Sequence, residues 1–156
     1  MDSKFVSHVE TLKPQLLRLL EMQPLTPATL PAKMFKRGVY VFSEGENCLY
    51  VGRSNDIKKR IGRHCRPGAT HRMAALAFRL AREATGNLKA TYKKGEGSQS
   101  ALMEDAKFVA AFDTAKARIR KMNLRFVEGN EPVRQALLEI YVAVALNTPH
   151  NDFDNH

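Results

Sequence analysis

Two tyrosines have a spacing that could serve chemistry. Tyr40 and Tyr50 lie ten positions apart, on either side of the polar segment Glu44-Gly45-Glu46. If that segment is the loop of a β-hairpin, Ser43 pairs with Asn47 and the two tyrosines face each other, with Cβ atoms about 5 Å apart. Two phenols on one face can orient water or phosphate. An opposed aromatic pair can also do no more than stabilise a sheet.

A basic helix is expected directly after this hairpin. Arg60 and His64 are four residues apart and are therefore expected on one helix face, away from the apolar Ile57 and Ile61. A basic helix is usually a solvated surface, but next to a tyrosine hairpin it favours a phosphate-binding surface. The neighbouring cations are Lys58, Lys59, Arg63 and Arg66.

Glu139 is a carboxylate without a cation on its own helix. Its neighbours three and four residues away are Gln135, Ala136, Val142 and Ala143, none of which is basic. Such a carboxylate must be solvated, paired across the fold or bound to a metal ion.

The order of these residues resembles the GIY-YIG endonuclease family. The segments Gly38-Val39-Tyr40 and Tyr50-Val51-Gly52 match its two triplets, with valine in place of isoleucine in both. The resemblance runs from Arg37 to Asn151, although the stretch between Arg66 and Asn123 carries no family signature. The matching functional positions are Tyr40, Tyr50, Arg60, His64, Glu139 and Asn151.

This resemblance implies an endonuclease that hydrolyses phosphodiester bonds, with DNA favoured over RNA. It implies one divalent ion, Mg²⁺ or Mn²⁺, held by Glu139. A single carboxylate makes a weak site, which suits Mg²⁺ because that ion keeps much of its water shell and often relies on substrate oxygens. The ion can therefore depend on bound nucleic acid.

The resemblance also assigns roles to the matching residues. Tyr40 is the candidate general base, although a free phenol titrates near pH ~10 and needs nearby cations such as Arg60 to ionise at neutral pH. His64 is the alternative base or a proton relay. Arg60 clamps a phosphate oxygen, Tyr50 orients water or phosphate, and Asn151 is included on the family pattern alone.

Further cations are expected to contact the nucleic-acid backbone. Each would add a sequence-independent, salt-dependent attraction. The residues are Arg53, Lys58, Lys59, Arg63, Arg66, His71 and Arg72.

The elements that must position these residues predict an α+β fold, a small three-stranded antiparallel sheet flanked by helices. Val39, Val41, Leu49 and Val51 are expected on the core side of the hairpin. The third strand is predicted at Leu124 to Val127. Helices are predicted over 3–21, 56–64, 72–83 and 101–122 and after Pro132, and a mobile basic loop over 87–99.

Apolar periodicity predicts which helix faces are buried. The first helix presents Val6, Val9, Leu12, Leu16, Leu19 and Leu20; the fourth presents Phe108, Phe112, Ala115, Ile119 and Met122; the last presents Val133, Ala136, Leu137, Ile140, Tyr141 and Val144. We expect one domain overall, with the N-terminal helix and Pro-rich connector of residues 1–30 packed on a nuclease-like domain of residues 31–156.

The bulk composition agrees with a nucleic-acid partner. The 156 residues carry 25 Lys and Arg against 16 Asp and Glu, a formal net charge of +9.

The first thirty residues resemble neither a signal peptide nor a membrane span, so a cytoplasmic protein without membrane contact is expected. The two cysteines, Cys48 and Cys65, are expected to be free thiols. A homodimer and a non-catalytic nucleic-acid-binding module on a nuclease-like fold remain open.

Overall fold

The computed structural model of the protein describes residues 1–87 and 98–154. The chain folds as two compact units, the first comprising Met1–Arg60 and Met122–His156 and the second Ile61–Lys121. The described elements, in chain order, are α1 (Ser3–Val9), α2 (Leu12–Glu21), a 3-10 turn (Pro27–Thr29), β1 (Gly38–Glu44), β2 (Asn47–Ser54), α3 (Ile57–Cys65), α4 (Ala75–Thr85), α5 (Gln99–Leu102), α6 (Ala106–Arg120), β3 (Asn123–Glu128) and α7 (Pro132–Leu146).

The first unit contains a three-stranded antiparallel sheet in the order β2-β1-β3. Helices α2 and α7 pack against it, so the predicted α+β architecture is confirmed. The predicted third strand is present and is one residue longer at each end. β2 is an edge strand, and its outer side therefore needs partners from outside the ladder.

The predicted register of the hairpin is wrong. Tyr40 lies opposite Gly52, and Tyr50 lies opposite Phe42. The loop contains two residues instead of three, with Gly45 in the left-handed conformation at φ 57°. A β-bulge at Ser43 then skips Leu49. The two changes together shift the pairing by two residues, so Tyr40 and Tyr50 stay on one face as diagonal neighbours.

The core of the first unit lies between the sheet, α2 and α7. Val39, Val41 and Val51 are buried on its side of the hairpin, as their alternation predicts. The prediction for Leu49 is wrong, because the register shift places Cys48 against this core cluster instead. The remaining buried members of this cluster are Leu12, Leu16, Leu19, Val127, Leu138, Val142 and Ala143.

The predicted buried face of α7 is confirmed only in part, because Leu137 and Tyr141 are partly buried against the core cluster. The buried residues are Gln135, Leu138, Val142 and Ala143, whereas Val144 is 73% exposed and Val133 and Ile140 are about half exposed. Helix α7 is apolar on more than one side, so periodicity alone does not decide which side meets the sheet.

The predicted N-terminal helix is two helices, α1 and α2. The chain breaks at Thr11, whose hydroxyl donates to the carbonyl of His8 at 2.7 Å. Helix α2 buries Leu12, Leu16 and Leu19 as predicted, whereas Val9 and Leu20 are exposed. The connector that follows is tied to the sheet where Leu25 pairs with Leu124.

The second unit is built around α4 and α6, and the predicted buried stripe of Phe108, Phe112, Ala115 and Ile119 is confirmed. Helix α4 begins three residues later than predicted. The ammonium of buried Lys116 donates to the carbonyls of Pro67 and Ala69 at 2.7 and 3.0 Å. The predicted basic loop over 87–99 lies largely outside the described residues.

Both cysteines are free, as predicted. Among residues 1–87 and 98–154, no helix combines the length and apolar composition that crossing a bilayer requires.

Candidate active site

An open cleft of about 370 Å³ lies on the tyrosine face of the hairpin, within the first unit. The side chains around it carry phenol, guanidinium, carboxylate, hydroxyl and amide groups. They are Tyr40, Tyr50, Arg53, Ser54, Asn55, Arg60, Gln135 and Glu139.

Tyr40 and Tyr50 lie next to each other in this cleft. Their ring centroids are 6.4 Å apart. Tyr40 is fully buried, with its ring packed edge-on against Phe42 at 5.8 Å, and Tyr50 is half-buried. The hairpin therefore presents two phenols together, as predicted, even though they are not directly opposed.

The two triplet glycines are required by close approach. A Cβ atom on Gly52 would collide with the Tyr40 phenol ring and hydroxyl, which lie over it from the opposite strand. A Cβ atom on Gly38 would collide with the Val127 carbonyl oxygen on β3. The absence of these side chains lets the Tyr40 ring lie close to Gly52 on β2 and lets Val127 on β3 lie close to Gly38 on β1.

Arg60 joins the first turn of α3 to the tyrosines. The Ile57 amide donates to the Lys36 carbonyl at 2.8 Å, and Ser54 Oγ accepts from the Asp56 amide at 2.9 Å, so the start of α3 is fixed to the hairpin. The half-buried Arg60 guanidinium hydrogen-bonds both Tyr40 and Tyr50. It is the central cation of the cleft.

Burial raises the pKa of Tyr40 well above its ordinary value of 10.0. The neighbouring Tyr50 adds to this increase, whereas Arg60 opposes it and is outweighed. Arg60 alone therefore does not supply the lowering of the Tyr40 pKa that a general-base role requires. A raised pKa favours the neutral form of the Tyr40 phenol at neutral pH.

Glu139 is paired across the fold with Arg53, one of the three alternatives left open by its sequence. Arg53 Nε lies 3.0 Å from Glu139 Oε2. Burial raises the pKa of the carboxyl, and Arg53 and Arg60 pull it in the opposite direction. The sequence did not reveal this pair because its members are 86 residues apart.

The comparisons with known proteins decide the family. The model of the GIY-YIG catalytic domain matches residues 36–148. The chain belongs to the GIY-YIG family. The search of curated proteins and the search of solved structures each returned no match.

Asn151 of this GIY-YIG chain is not among the residues around the cleft. Its Oδ1 accepts from the Val51 amide at 2.9 Å, and its Nδ2 donates to the Val51 carbonyl at 2.7 Å. Thr148 donates to the same Oδ1 at 2.7 Å. Asn151 therefore satisfies the outer side of edge strand β2, next to Tyr50 and Gly52, and positions the hairpin.

His64 is also not among the cleft residues and is fully buried, contrary to its predicted place beside Arg60 on the face away from Ile57 and Ile61. Ile57, Ile61 and His64 follow a spacing of four and three, which places the histidine on the apolar stripe of α3. Its predicted part as a base stays a prediction.

Sequence reasoning missed Gln135, Ser54 and Asn55 as cleft residues. Gln135 is buried one helical turn before Glu139, and its amide nitrogen donates to the Gly129 carbonyl. Its position four residues before the candidate metal ligand was the available signal.

The predicted backbone-contacting cations of the first unit differ in how they are engaged. Arg53 is paired with Glu139, and Lys58 donates to the carbonyls of Pro31 and Ala32 at 3.2 and 3.4 Å, whereas Lys59 is exposed.

In the second unit, Arg66 and Arg72 are exposed and Arg63 is half-buried. His71 lies 6.0 Å from the Phe78 ring centroid, and burial together with Arg72 lowers its pKa. A lowered pKa favours the neutral imidazole, which attracts phosphate less strongly than the charged form does.

Proposed function

We propose that this GIY-YIG domain is a metal-dependent endonuclease that hydrolyses phosphodiester bonds, with DNA as its preferred substrate. The observation that supports the proposal most is the convergence of two phenols, a guanidinium and a carboxylate on one open cleft. These groups supply what the reaction needs: neutralisation of charge on phosphate, orientation of the attacking water and an oxygen ligand for a divalent ion.

Arg60 is the proposed phosphate clamp. A guanidinium carries five N–H donors, so Arg60 can hold the two phenol oxygens and a non-bridging phosphate oxygen at once. Its half-buried position strengthens that attraction, because the field of a cation is screened less away from bulk water.

Glu139 is the proposed ligand of the divalent ion. Its carboxylate offers hard oxygen donors at an open cleft, and a single carboxylate fits Mg²⁺ or Mn²⁺, which keep several waters or use substrate oxygens. The described residues contain no group of three or more His, Cys, Asp and Glu side chains arranged for a metal. When bound, the ion would supply Lewis-acid charge and lower the pKa of a coordinated water.

Tyr40 enters this proposal as a neutral phenol held by Arg60. In that form it donates a hydrogen bond and orients water or phosphate, together with Tyr50. A general-base role requires its pKa to fall, which needs positive charge at the cleft beyond that of Arg60. His64 remains the alternative base.

The experiment that tests the proposal compares wild type with Glu139→Gln. Cleavage of supercoiled, linear, single-stranded and branched DNA and of RNA is measured in Mg²⁺ and in Mn²⁺, with binding followed in parallel. We expect the variant to bind nucleic acid and to cleave on the order of a hundredfold more slowly. Glu21→Gln, which removes an exposed carboxylate from α2, is the matched control and should cleave at the wild-type rate.

If wild type and Glu139→Gln cleaved at the same rate, Glu139 would have no role in the reaction. Tight binding by wild type without cleavage of any substrate in either metal would favour the alternative of a non-catalytic nucleic-acid-binding module.

A further inference from the structure

The Arg53–Glu139 ion pair occupies the carboxylate that the proposed reaction needs. The contact is a charged hydrogen bond of 3.0 Å, and both side chains line the cleft. Arg53 is 45% exposed and Glu139 is 24% exposed. A guanidinium in this position repels any divalent cation that approaches the same carboxylate.

The two arginines of the cleft are held differently. Arg60 is half-buried and hydrogen-bonds both tyrosines, so its position is fixed by the sheet. Arg53 extends from edge strand β2 toward α7, and its exposed side chain can rotate away from Glu139 with little loss of packing. Arg53 is therefore the cation that can change partners.

The Arg53 guanidinium and the Glu139 carboxylate could each replace the other with a ligand of the opposite charge. A divalent cation can replace Arg53 at the carboxylate, and a phosphate oxygen can replace Glu139 at the guanidinium. Whichever ligand arrives first must break the ion pair, and the second then finds its partner already released. By linkage, each ligand must strengthen the binding of the other by the same factor.

We propose that Arg53 binds phosphate once it leaves Glu139, and that a divalent ion takes its place at the carboxylate. Breaking this ion pair would then couple nucleic-acid binding to metal binding. This inference rests on the proposed function. It extends that function by making cleft assembly depend on both ligands: nucleic acid alone leaves Arg53 divided between two anions, and metal alone meets an occupied carboxylate.

The decisive test needs neither metal nor cleavage. A short duplex oligonucleotide is titrated by fluorescence anisotropy in EDTA at low salt with wild type, Arg53→Gln, Glu139→Gln and the double variant. Loss of the carboxylate should raise affinity more when Arg53 is present, because the freed guanidinium then binds phosphate. We expect this difference to be about threefold, the scale of an exposed ion pair. Arg18→Gln in place of Arg53→Gln controls for the lost charge.

A second arm measures Mn²⁺ binding by the loss of the free-ion spin-resonance signal. Without nucleic acid, Arg53→Gln should bind Mn²⁺ about threefold more tightly than wild type, and Arg18→Gln should resemble wild type. Glu139→Gln should lose this binding, which identifies the carboxylate as the ligand.

The outcomes separate the two proposals. Suppose that Glu139→Gln raises duplex affinity equally with and without Arg53, and that Arg53→Gln leaves Mn²⁺ affinity unchanged. The proposed exchange at the Arg53–Glu139 pair is then wrong, whereas the proposed endonuclease function still stands. If wild type and Glu139→Gln bind Mn²⁺ alike and neither cleaves, the metal role of Glu139 fails, and the exchange fails with it.

Discussion

Gly52 and Tyr40 form one steric unit in the hairpin. Because any Cβ on Gly52 meets the Tyr40 hydroxyl and ring, Gly52→Ala should displace the phenol from the cleft. We expect a loss of roughly 1–3 kcal/mol of stability from this overpacking and a larger loss of cleavage than of binding. Denaturant unfolding and cleavage rates measure the two effects.

Gly62→Ala is the matched control for that substitution. Gly62 lies inside α3, and a Cβ atom added there would meet nothing within 4 Å beyond the backbone of its own helix. Alanine should therefore stabilise the helix slightly. If Gly52→Ala kept the stability and the cleavage rate of wild type, neither property would depend on the observed position of Tyr40.

The buried Tyr40 should titrate above the ordinary pKa of a phenol. Its folded pKa lies above the unfolded value of 10.0, so its contribution to stability is complete below pH 10 and is lost as pH rises from 10 toward the folded pKa. The phenolate absorbance of Tyr40→Phe should lack a transition that wild type shows above pH 10. If Tyr40→Phe instead lacked a transition at or below pH 10, the effect of Arg60 on the Tyr40 pKa would outweigh that of burial.

At the scale of residues, the sequence predicted the chemical types at the cleft but not their pairings. Tyr40, Tyr50, Arg60 and Glu139 were all identified as candidates, and all line one cleft. The Arg53–Glu139 pair was not predicted, because periodicity describes neighbours within an element and not contacts between a strand and a distant helix.

Asn151 acts at the scale of an element, because it completes the hydrogen bonds of an edge strand. Asn151→Ala leaves the Val51 amide and carbonyl without their protein partner and should cost roughly 1–3 kcal/mol. Hydrogen exchange at the Val51 amide should become faster than in wild type.

Asn130→Ala is the comparison for that variant, since Asn130 is exposed and its 3.4 Å contact with Glu128 is marginal. Unchanged stability in Asn151→Ala, with slow exchange at Val51, would contradict the positioning role. Slower cleavage at full stability would instead indicate a direct part in the reaction.

Two elements show where sequence patterns stop being informative. The hairpin register depended on one bulge at Ser43 and one left-handed glycine, and a two-residue shift preserves the alternation that predicts the faces. Helix α7 is apolar on more than one side, so its buried face is chosen by packing against β2 and α2. Both elements were predicted correctly as a hairpin and as a helix.

At the scale of the whole molecule, the charge of +9 and the single proposed cleft predict how the protein cuts a duplex. The charge favours association with any nucleic-acid backbone, so binding should weaken steeply with salt. If the proposed roles of Arg60 and Glu139 are right, one cleft holds one scissile phosphate at a time, and cutting the second strand requires another encounter or a second copy of the chain.

Supercoiled plasmid should thus become open circular before it becomes linear. We expect the nicked form to accumulate when protein is limiting, and adding excess Glu139→Gln to reduce the nicking rate only by competing for plasmid. Linear plasmid formed without a nicked intermediate would show coordinated cleavage by paired copies. In that case mixed pairs containing one inactive copy would cut only one strand and yield nicked plasmid in place of linear plasmid. Gel electrophoresis of the same mixture detects the difference.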